Sequence, residues 1–425
     1  MTTANKIRRS LFGGVLVAGS LLLGTVSNAQ TAAADTAIRP FKVQIAESEL
    51  ADLKQRIIAT RWTEKETVND HSQGVPSKTV HELATYWATK YDWRKTEARL
   101  NRYPHFLTKI DGVDIHYVHV RSKEKNALPI ILTHGWPGSF IELMKLIDPL
   151  TNPVAYGGKP EDAFDVVIPS MPGYGFSGKP TTTGWNPDRI AKAYVTLMKR
   201  LGYKKFLAQG GDWGSVIVDI MAVQSPNDLL GIHTNMPGAI PADIDKSAFA
   251  GAPAPSGLTP DERHAYDQVS VTYKNVYYAF FMGSRPQTLT GLADSPVGLA
   301  TFLLDHDPRS MALITRTFAG QKEGLTKDDV LDNVSLYWFT NTAISAARLY
   351  WENKSNYFSP KGVTVPVAVS AFPDELYQTP RSWAEKAYPN LIYYNKLEKG
   401  GHFAAWEQPE IFTQELRNSF RSLRK

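Results

Sequence analysis

The chain has 425 residues, 43% of them hydrophobic and 21% charged, with a formal net charge of +5 and no cysteine. That length and apolar content suffice for one large domain with an inserted subdomain, or for two domains. The lack of cysteine excludes disulfides, Cys-ligated zinc, a thiol nucleophile and a lipoprotein anchor.

Residues 1–29 read as an export signal. Lys6, Arg8 and Arg9 precede an apolar run at 11–26, and Ser27-Asn28-Ala29 offers small residues for cleavage. The order Arg8-Arg9-Ser10-Leu11-Phe12 points to a twin-arginine signal, so the expected location is periplasmic or secreted. Gly and Ser interrupt the apolar run, and no stable membrane span is expected once the signal is removed. The segment carries three positive charges and no negative one, which leaves the rest close to neutral. No nucleic-acid partner is expected of such a balance.

Residues 38–45 read as extended. Leu50, Leu53, Ile57 and Ile58 then recur at helical spacing within 47–60. Two more helices are expected at 79–90 and 92–101, with Trp87, Tyr91 and Trp93 as packing anchors. Val113, Ile115, Tyr117 and Val120 give 112–120 the alternation of a strand, and 128–133 is a continuous apolar run. Further strands fit at 164–168, 206–208, 231–234, 365–370 and 391–394. Helices fit at 139–147, 187–201, 215–224, 381–387 and 409–422. This alternation predicts an α/β fold with a mostly parallel sheet covered on both faces.

Between 237 and 364 the alternation lapses. After Gly251-Ala252-Pro253-Ala254-Pro255 the stretch reads as helical, with Tyr273, Tyr277, Tyr278, Phe280 and Phe281 crowded together. The expected organisation is a helical segment at 38–110, a core at 111–236 and 365–425, and a helical cap at 237–364. Such a cap closes over the strand ends, where ligands bind in open α/β sheets.

The chemistry centres on Gly210-Gly211-Asp212-Trp213-Gly214-Ser215, between a short apolar strand and a helix. Glycines on both sides of a central side chain suit a sharp strand-to-helix elbow with Asp212 at its tip. An aspartate there needs no base to remove a proton, unlike the serine of the common elbow. The plainer alternative is a turn in which Asp212 caps the helix. Upstream, His134-Gly135-Trp136-Pro137-Gly138-Ser139 follows a strand where an oxyanion hole belongs. Pro137 has no N–H, so the donors are the backbone groups of Trp136 and of Trp213, just after the nucleophile. Downstream, Gly400-Gly401-His402 sets a histidine after the last strand, in the chain order nucleophile, acid, histidine. Asp374 or Glu375 could orient its ring, and spacing does not choose between them.

Gly-Gly-Asp-Trp-Gly-Ser at 210–215, His-Gly-Trp-Pro-Gly-Ser at 134–139 and Gly-Gly-His-Phe-Ala-Ala at 400–405 resemble the microsomal-type epoxide hydrolases. The resemblance runs from about residue 38 to the C-terminus. It implies an α/β-hydrolase fold with an inserted helical cap and an N-terminal helical extension. It also implies an Asp212 nucleophile, a His402 base, oxyanion donors Trp136 and Trp213, and Glu375 as acid through a Phe-Pro-x-Glu-Leu pattern. Two cap tyrosines that act as acids carry over to Tyr278, eight positions before Pro286, and to Tyr350 in Arg348-Leu349-Tyr350-Trp351-Glu352-Asn353. A Gln often found four residues before that proline is Met282 here, and Tyr277 stands as the reserve for Tyr278.

The implied reaction converts an epoxide and water to a vicinal diol through an Asp212 ester, with no cofactor and no metal. Phe280, Phe281, Trp338 and Phe339 point to an apolar, aromatic substrate. The nearest rival, a haloalkane dehalogenase, shares the aspartate elbow but needs halide donors instead of two cap acids. A catalytically silent binding protein on the same fold would commonly lack the nucleophile or the histidine.

Overall fold

The computed structural model describes residues 36–424, so the expected signal at 1–29 lies outside the described residues. Nine strands form a single sheet: β1 (Arg39–Phe41), β2 (His105–Ile110), β3 (Val113–Val120), β4 (Leu128–Thr133), β5 (Phe164–Pro169), β6 (Phe206–Gly210), β7 (Leu229–Thr234), β8 (Val367–Ala371) and β9 (Leu391–Lys396). Their spatial order is β1-β2-β3-β5-β4-β6-β7-β8-β9. β1, β2, β3 and β5 pair antiparallel, and every pairing from β5 through β9 is parallel.

β1 falls within the segment read as extended at 38–45, whereas β2 was not expected, because 38–110 reads as helical beyond that start. β2 and β3 form a hairpin in which Ile110 pairs with Val113. The two loop residues, Asp111 and Gly112, both have positive φ, at 50° and 83°. A type I′ turn requires this of both its central residues, and Asp-Gly supplies it at low cost.

The parallel strands are buried on both faces, and their side chains alternate between two cores. Ile130 and Leu132 of β4, Val166 and Ile168 of β5 and Leu207 of β6 belong to one. Ile131, Val167 and Ala208 belong to the other. The helix Trp213–Gln224 is mostly apolar and its first ten residues are buried, as in a helix at the centre of a domain.

Between β7 and β8 the chain forms the helices Ala242–Phe249, Pro260–Asn275, Tyr277–Ser284, Pro296–Leu304, Pro308–Phe318, Lys327–Thr340 and Ala343–Glu352. The N-terminal helices Ser77–Thr89 and Trp93–Leu100 are bonded to one of these, Lys327–Thr340. Trp87 Nε1 donates to Ser335 Oγ at 3.0 Å, and Tyr86 and Tyr91 donate to Asp328 and Asp332 at 2.9 and 2.8 Å. Thr96 and Arg99 also donate to Asp332. No helix among the described residues is long and apolar enough to cross a membrane.

Candidate active site

β6 runs into the turn that holds Asp212, whose φ of 50° and ψ of −127° no unstrained L-residue prefers. A Cβ on Gly210 would sit 2.1 Å from the carbonyl oxygen of Gly214, and one on Gly214 would sit 2.1 Å from that of Thr133. Only glycine lets the chain turn this tightly. The Asp212 side chain makes no helix-capping bond. It is turned instead toward the loop after β4.

Parallel pairing of β4 with β6 sets Thr133 opposite Gly210 and so brings the 134–138 loop against the elbow. The backbone N–H of Trp136 donates to Asp212 Oδ1 at 2.8 Å. A Cβ on Gly135 would fall 2.2 Å from the same oxygen, so the approach depends on glycine. Trp213 is the first residue of its helix, where backbone N–H groups have no partner within the helix.

The ends of β8 and β9 supply the other two groups. Glu375 is fully buried. Its Oε1 takes His402 Nδ1 at 2.5 Å and the Leu376 N–H at 2.8 Å, and its Oε2 takes Asn235 Nδ2 at 3.0 Å. Asp374 points away, with an exposed side chain 3.6 Å from Arg309. Of the two carboxylates that spacing left open, only Glu375 reaches the imidazole. His402 Nε2 lies 3.8 Å from Asp212 Oδ2. Glu407 braces the histidine loop by accepting from the N–H groups of Gly401 and Phe403 at 3.0 and 3.1 Å.

Burial opposes a charge on His402, but the adjacent Glu375 outweighs it. With Asp212 and Asp307 adding to that, the ring is pushed up to about 10. His306 lies over it with ring centroids 4.4 Å apart, and His306 Nδ1 meets Asp307 Oδ2 at 2.9 Å. The donor atoms of Asp212, His306 and His402 lie within 4.8 Å of one another, which makes this trio the described group able to hold a metal ion. A dication there would compete with the proton on His402 and with the hydrogen bonds already made to Asp212.

A cavity of about 460 Å³ opens on the cap side of Asp212. Tyr278 and Tyr350 both line it. Tyr278 stacks on Trp136 at 4.6 Å, and Tyr350 stands edge-on to Trp213 at 4.9 Å. Burial, then the nearby Asp212 charge, raises both phenols well above the usual tyrosine range, so both keep their protons. Tyr277 is 67% exposed and faces away. Met282 is fully buried in the core and is absent from the cavity wall.

The substrate-facing aromatics differ from the expected ones. Phe280 and Phe281 are exposed, Trp338 and Phe339 pack against the cores, and none of the four lines the cavity. The helix Tyr277–Ser284 turns its Tyr278 and Met282 face inward, which sends Phe280 and Phe281 out. Phe249, Val276, Phe358 and Leu376 supply the apolar wall instead.

Two residues at the site escaped sequence reasoning. The Tyr357 hydroxyl donates to Asp212 Oδ2 at 2.6 Å. It lies in an irregular segment between the helix Ala343–Glu352 and β8, where no spacing rule applies. Asn235 holds Glu375 from just past the end of β7. A polar residue at the C-terminal end of a parallel strand is a signal that could have found it.

The family described as Epoxide hydrolase N terminus matches residues 38–143, and the alpha/beta hydrolase fold matches 129–279. The fold and the aspartate elbow thus define an α/β hydrolase with an epoxide-hydrolase N-terminal region. "Epoxide hydrolase 1" of Sus scrofa is 36% identical over 91% of this chain and 89% of its own length. A Stigmatella aurantiaca (strain DW4/3-1) protein named "Putative epoxide hydrolase" is 49% identical over 91% of this chain and 86% of its own. The crystal structure of juvenile hormone epoxide hydrolase from the silkworm Bombyx mori superposes with a TM-score of 0.80. It is 30% identical, covering 93% of this chain and 97% of that one. The chain belongs to the microsomal-type epoxide hydrolase family and is an epoxide hydrolase, converting an epoxide and water to a diol.

Proposed function

We propose that hydrolysis runs in two steps through an ester on Asp212. The observation that carries this is the unlike pair of carboxylate oxygens. Oδ1 is held by the Trp136 N–H, while Oδ2 lies toward His402 and Tyr357. Oδ2 attacks an epoxide carbon, and a proton from Tyr278 or Tyr350 meets the opening ring oxygen. Tyr357 fixes the plane of the carboxylate, so that the attacking oxygen presents a lone pair to the cavity.

The charge on His402 follows the reaction. While Asp212 is a carboxylate, it and Glu375 hold the imidazole as a cation. Ester formation removes one of those two negative charges, and the ring can then release a proton that balances the one lost by the phenol. Neutral His402 takes a proton from water as the water oxygen bonds to the ester carbon. The electron pair moves onto Oδ1, where the N–H groups of Trp136 and Trp213 receive it. The pair on Oδ1 then returns, the Asp212 Cγ–Oδ2 bond breaks, and Oδ2 leaves as part of the diol, taking the proton of the newly formed carboxyl group and so regenerating the carboxylate.

The cavity wall supports an apolar epoxide as substrate. Export directed by residues 1–29 belongs to the same proposal, and the intact mass of secreted protein tests it.

A single turnover of styrene oxide with excess enzyme in ¹⁸O-water tests the ester. The expected result is an unlabelled diol and label in the Asp212 peptide. Label passing straight into the diol, with Asp212 light, would mean that water attacks the epoxide directly.

A further inference from the structure

His306 is almost fully buried and packs against the two groups that exchange protons in this site. Its ring centroid lies 4.4 Å from that of the base His402 and 5.2 Å from that of the cap acid Tyr278. Its Nδ1 meets Asp307 Oδ2 at 2.9 Å. The other ring nitrogen, Nε2, is buried and has no partner. A buried polar atom left in that state is costly, and it calls for a partner at some stage of the cycle.

Asp307 decides which nitrogen is free. It caps the helix Pro308–Phe318, its Oδ1 accepting from the N–H groups of Arg309 and Ser310 at 2.9 Å each. Burial works against a charge there, but the bond to His306 and the nearby imidazoles outweigh it and hold the carboxyl group below the usual carboxylate range. A carboxylate only accepts, so Nδ1 of His306 carries the proton and Nε2 presents a lone pair. A donor atom of His306 lies within 4.8 Å of one on His402 and one on Asp212. Asp212 is already engaged by Trp136 and Tyr357, and His402, pushed up to about 10, holds its proton at neutral pH, so what passes among these groups is a proton rather than a metal.

We propose that His306 takes the proton that His402 releases in the ester and passes it to the phenolate of Tyr278, the cap phenol whose ring meets His306. Once Asp212 is esterified, the His402 N–H is no longer drawn to a charged Oδ2 and turns to the free lone pair of His306. The His402 Nε2–H bond breaks, the His306 Nε2–H bond forms, and Asp307 balances the imidazolium. That proton then bonds to the phenolate oxygen, and His306 is neutral again. His402 is left neutral and able to take a proton from water. When hydrolysis is complete His402 is a cation and Tyr278 a phenol, as at the start, so the site gains and loses no proton. The titratable and charged groups around His306 are Asp212, Tyr278, His402 with Glu375 and Glu407 behind it, and the chain neighbours Asp305 and Asp307.

The proposal rests on the ester reading, and the test separates the two. Single turnovers of styrene oxide at about pH 7 and about pH 9.5, followed by stopped-flow fluorescence and by mass spectrometry of the quenched Asp212 peptide, read ester formation and ester hydrolysis separately. His306→Phe keeps an aromatic ring without its nitrogens, and His306→Gln keeps a donor for Asp307 but is no base. For both, ester formation should stay close to the wild-type rate, while hydrolysis at about pH 7 slows about 100-fold and recovers toward the wild-type rate at the higher pH, where solvent takes the proton from His402. The near-ultraviolet absorbance of a tyrosinate should persist in these variants for as long as the ester does. Hydrolysis at the wild-type rate in both variants, both steps slowed alike, or a slow hydrolysis that neither recovers at high pH nor carries the tyrosinate signal would overturn the relay and leave the ester intact. Failure of the wild-type enzyme to form any Asp212 ester would overturn both.

Discussion

The two oxygens of Asp212 lie within one carboxylate yet meet different chemistry. Oδ1 faces a backbone N–H and Oδ2 faces a phenol and an imidazole. If Tyr357 orients the carboxylate, Tyr357→Phe should slow ester formation about 10- to 100-fold and leave hydrolysis of the ester nearly unchanged. Stopped-flow tryptophan fluorescence, with mass spectrometry of the quenched Asp212 peptide, reads both steps, and equal slowing would reduce Tyr357 to a packing role. Tyr357 could not be read from the sequence, because a chain with nineteen tyrosines offers no pattern that singles out one in an irregular segment.

At the scale of elements, the N-terminal helices and the cap share a buried polar junction. Asp332 of the helix Lys327–Thr340 accepts from Tyr91, Thr96 and Arg99. Its side chain is almost fully buried, while Arg99 is half exposed. Burial pushes its carboxyl group up to about 6, the nearby Arg99 guanidinium pulling the other way. Asp332→Ala would leave the buried Thr96 and Tyr91 hydroxyls without this acceptor and should cost about 2–3 kcal/mol, with Arg99 contributing little because water screens it. Denaturant unfolding measures this, and a loss under about 1 kcal/mol would mean that the junction contributes little net stability. Trp87, expected as an apolar anchor, is one, and it also donates its indole N–H to Ser335. Periodicity locates such a residue on the inner face of a helix, but the partner of its polar atom lies 248 positions away.

Across the whole molecule, buried ionisable groups set how stability varies with pH. Glu142, Asp219 and Glu407 are pushed up to about 8, 7 and 7, in each case chiefly by burial. Unfolded carboxyl groups titrate near ~4, so the folded protein holds protons that the unfolded chain has lost. Their stabilising contribution is complete below that pH and disappears as pH rises through the folded values. His402, raised to about 10, acts with the same sign above its unfolded value of ~6.5. His134 and His119, lowered to about 4, and His233, lowered to about 3, act in the opposite sense, again chiefly through burial. They matter only below ~6.5, since above it they are neutral in both states. The melting temperature should therefore fall steadily from pH 6.5 to 9, and Glu142→Gln should make that fall shallower. Scanning calorimetry across the range checks both, and a flat or rising profile would contradict the assignment.

The sequence by itself determined the parts whose physics is local. Glycines at 210 and 214 announce a turn too tight for a side chain, a Trp-Pro pair after a strand leaves Trp136 as the N–H donor of its loop, and apolar runs of strand length announce buried parallel strands. Asp111-Gly112 is equally local, the pair that a two-residue turn between β2 and β3 requires. Tertiary structure alone decided the rest. Glu375 prevails over Asp374, Tyr278 faces inward where Tyr277 does not, and Tyr357 meets Asp212. Each of these turns on which way a side chain points after elements distant in sequence have packed together, and no periodicity or spacing rule carries that information.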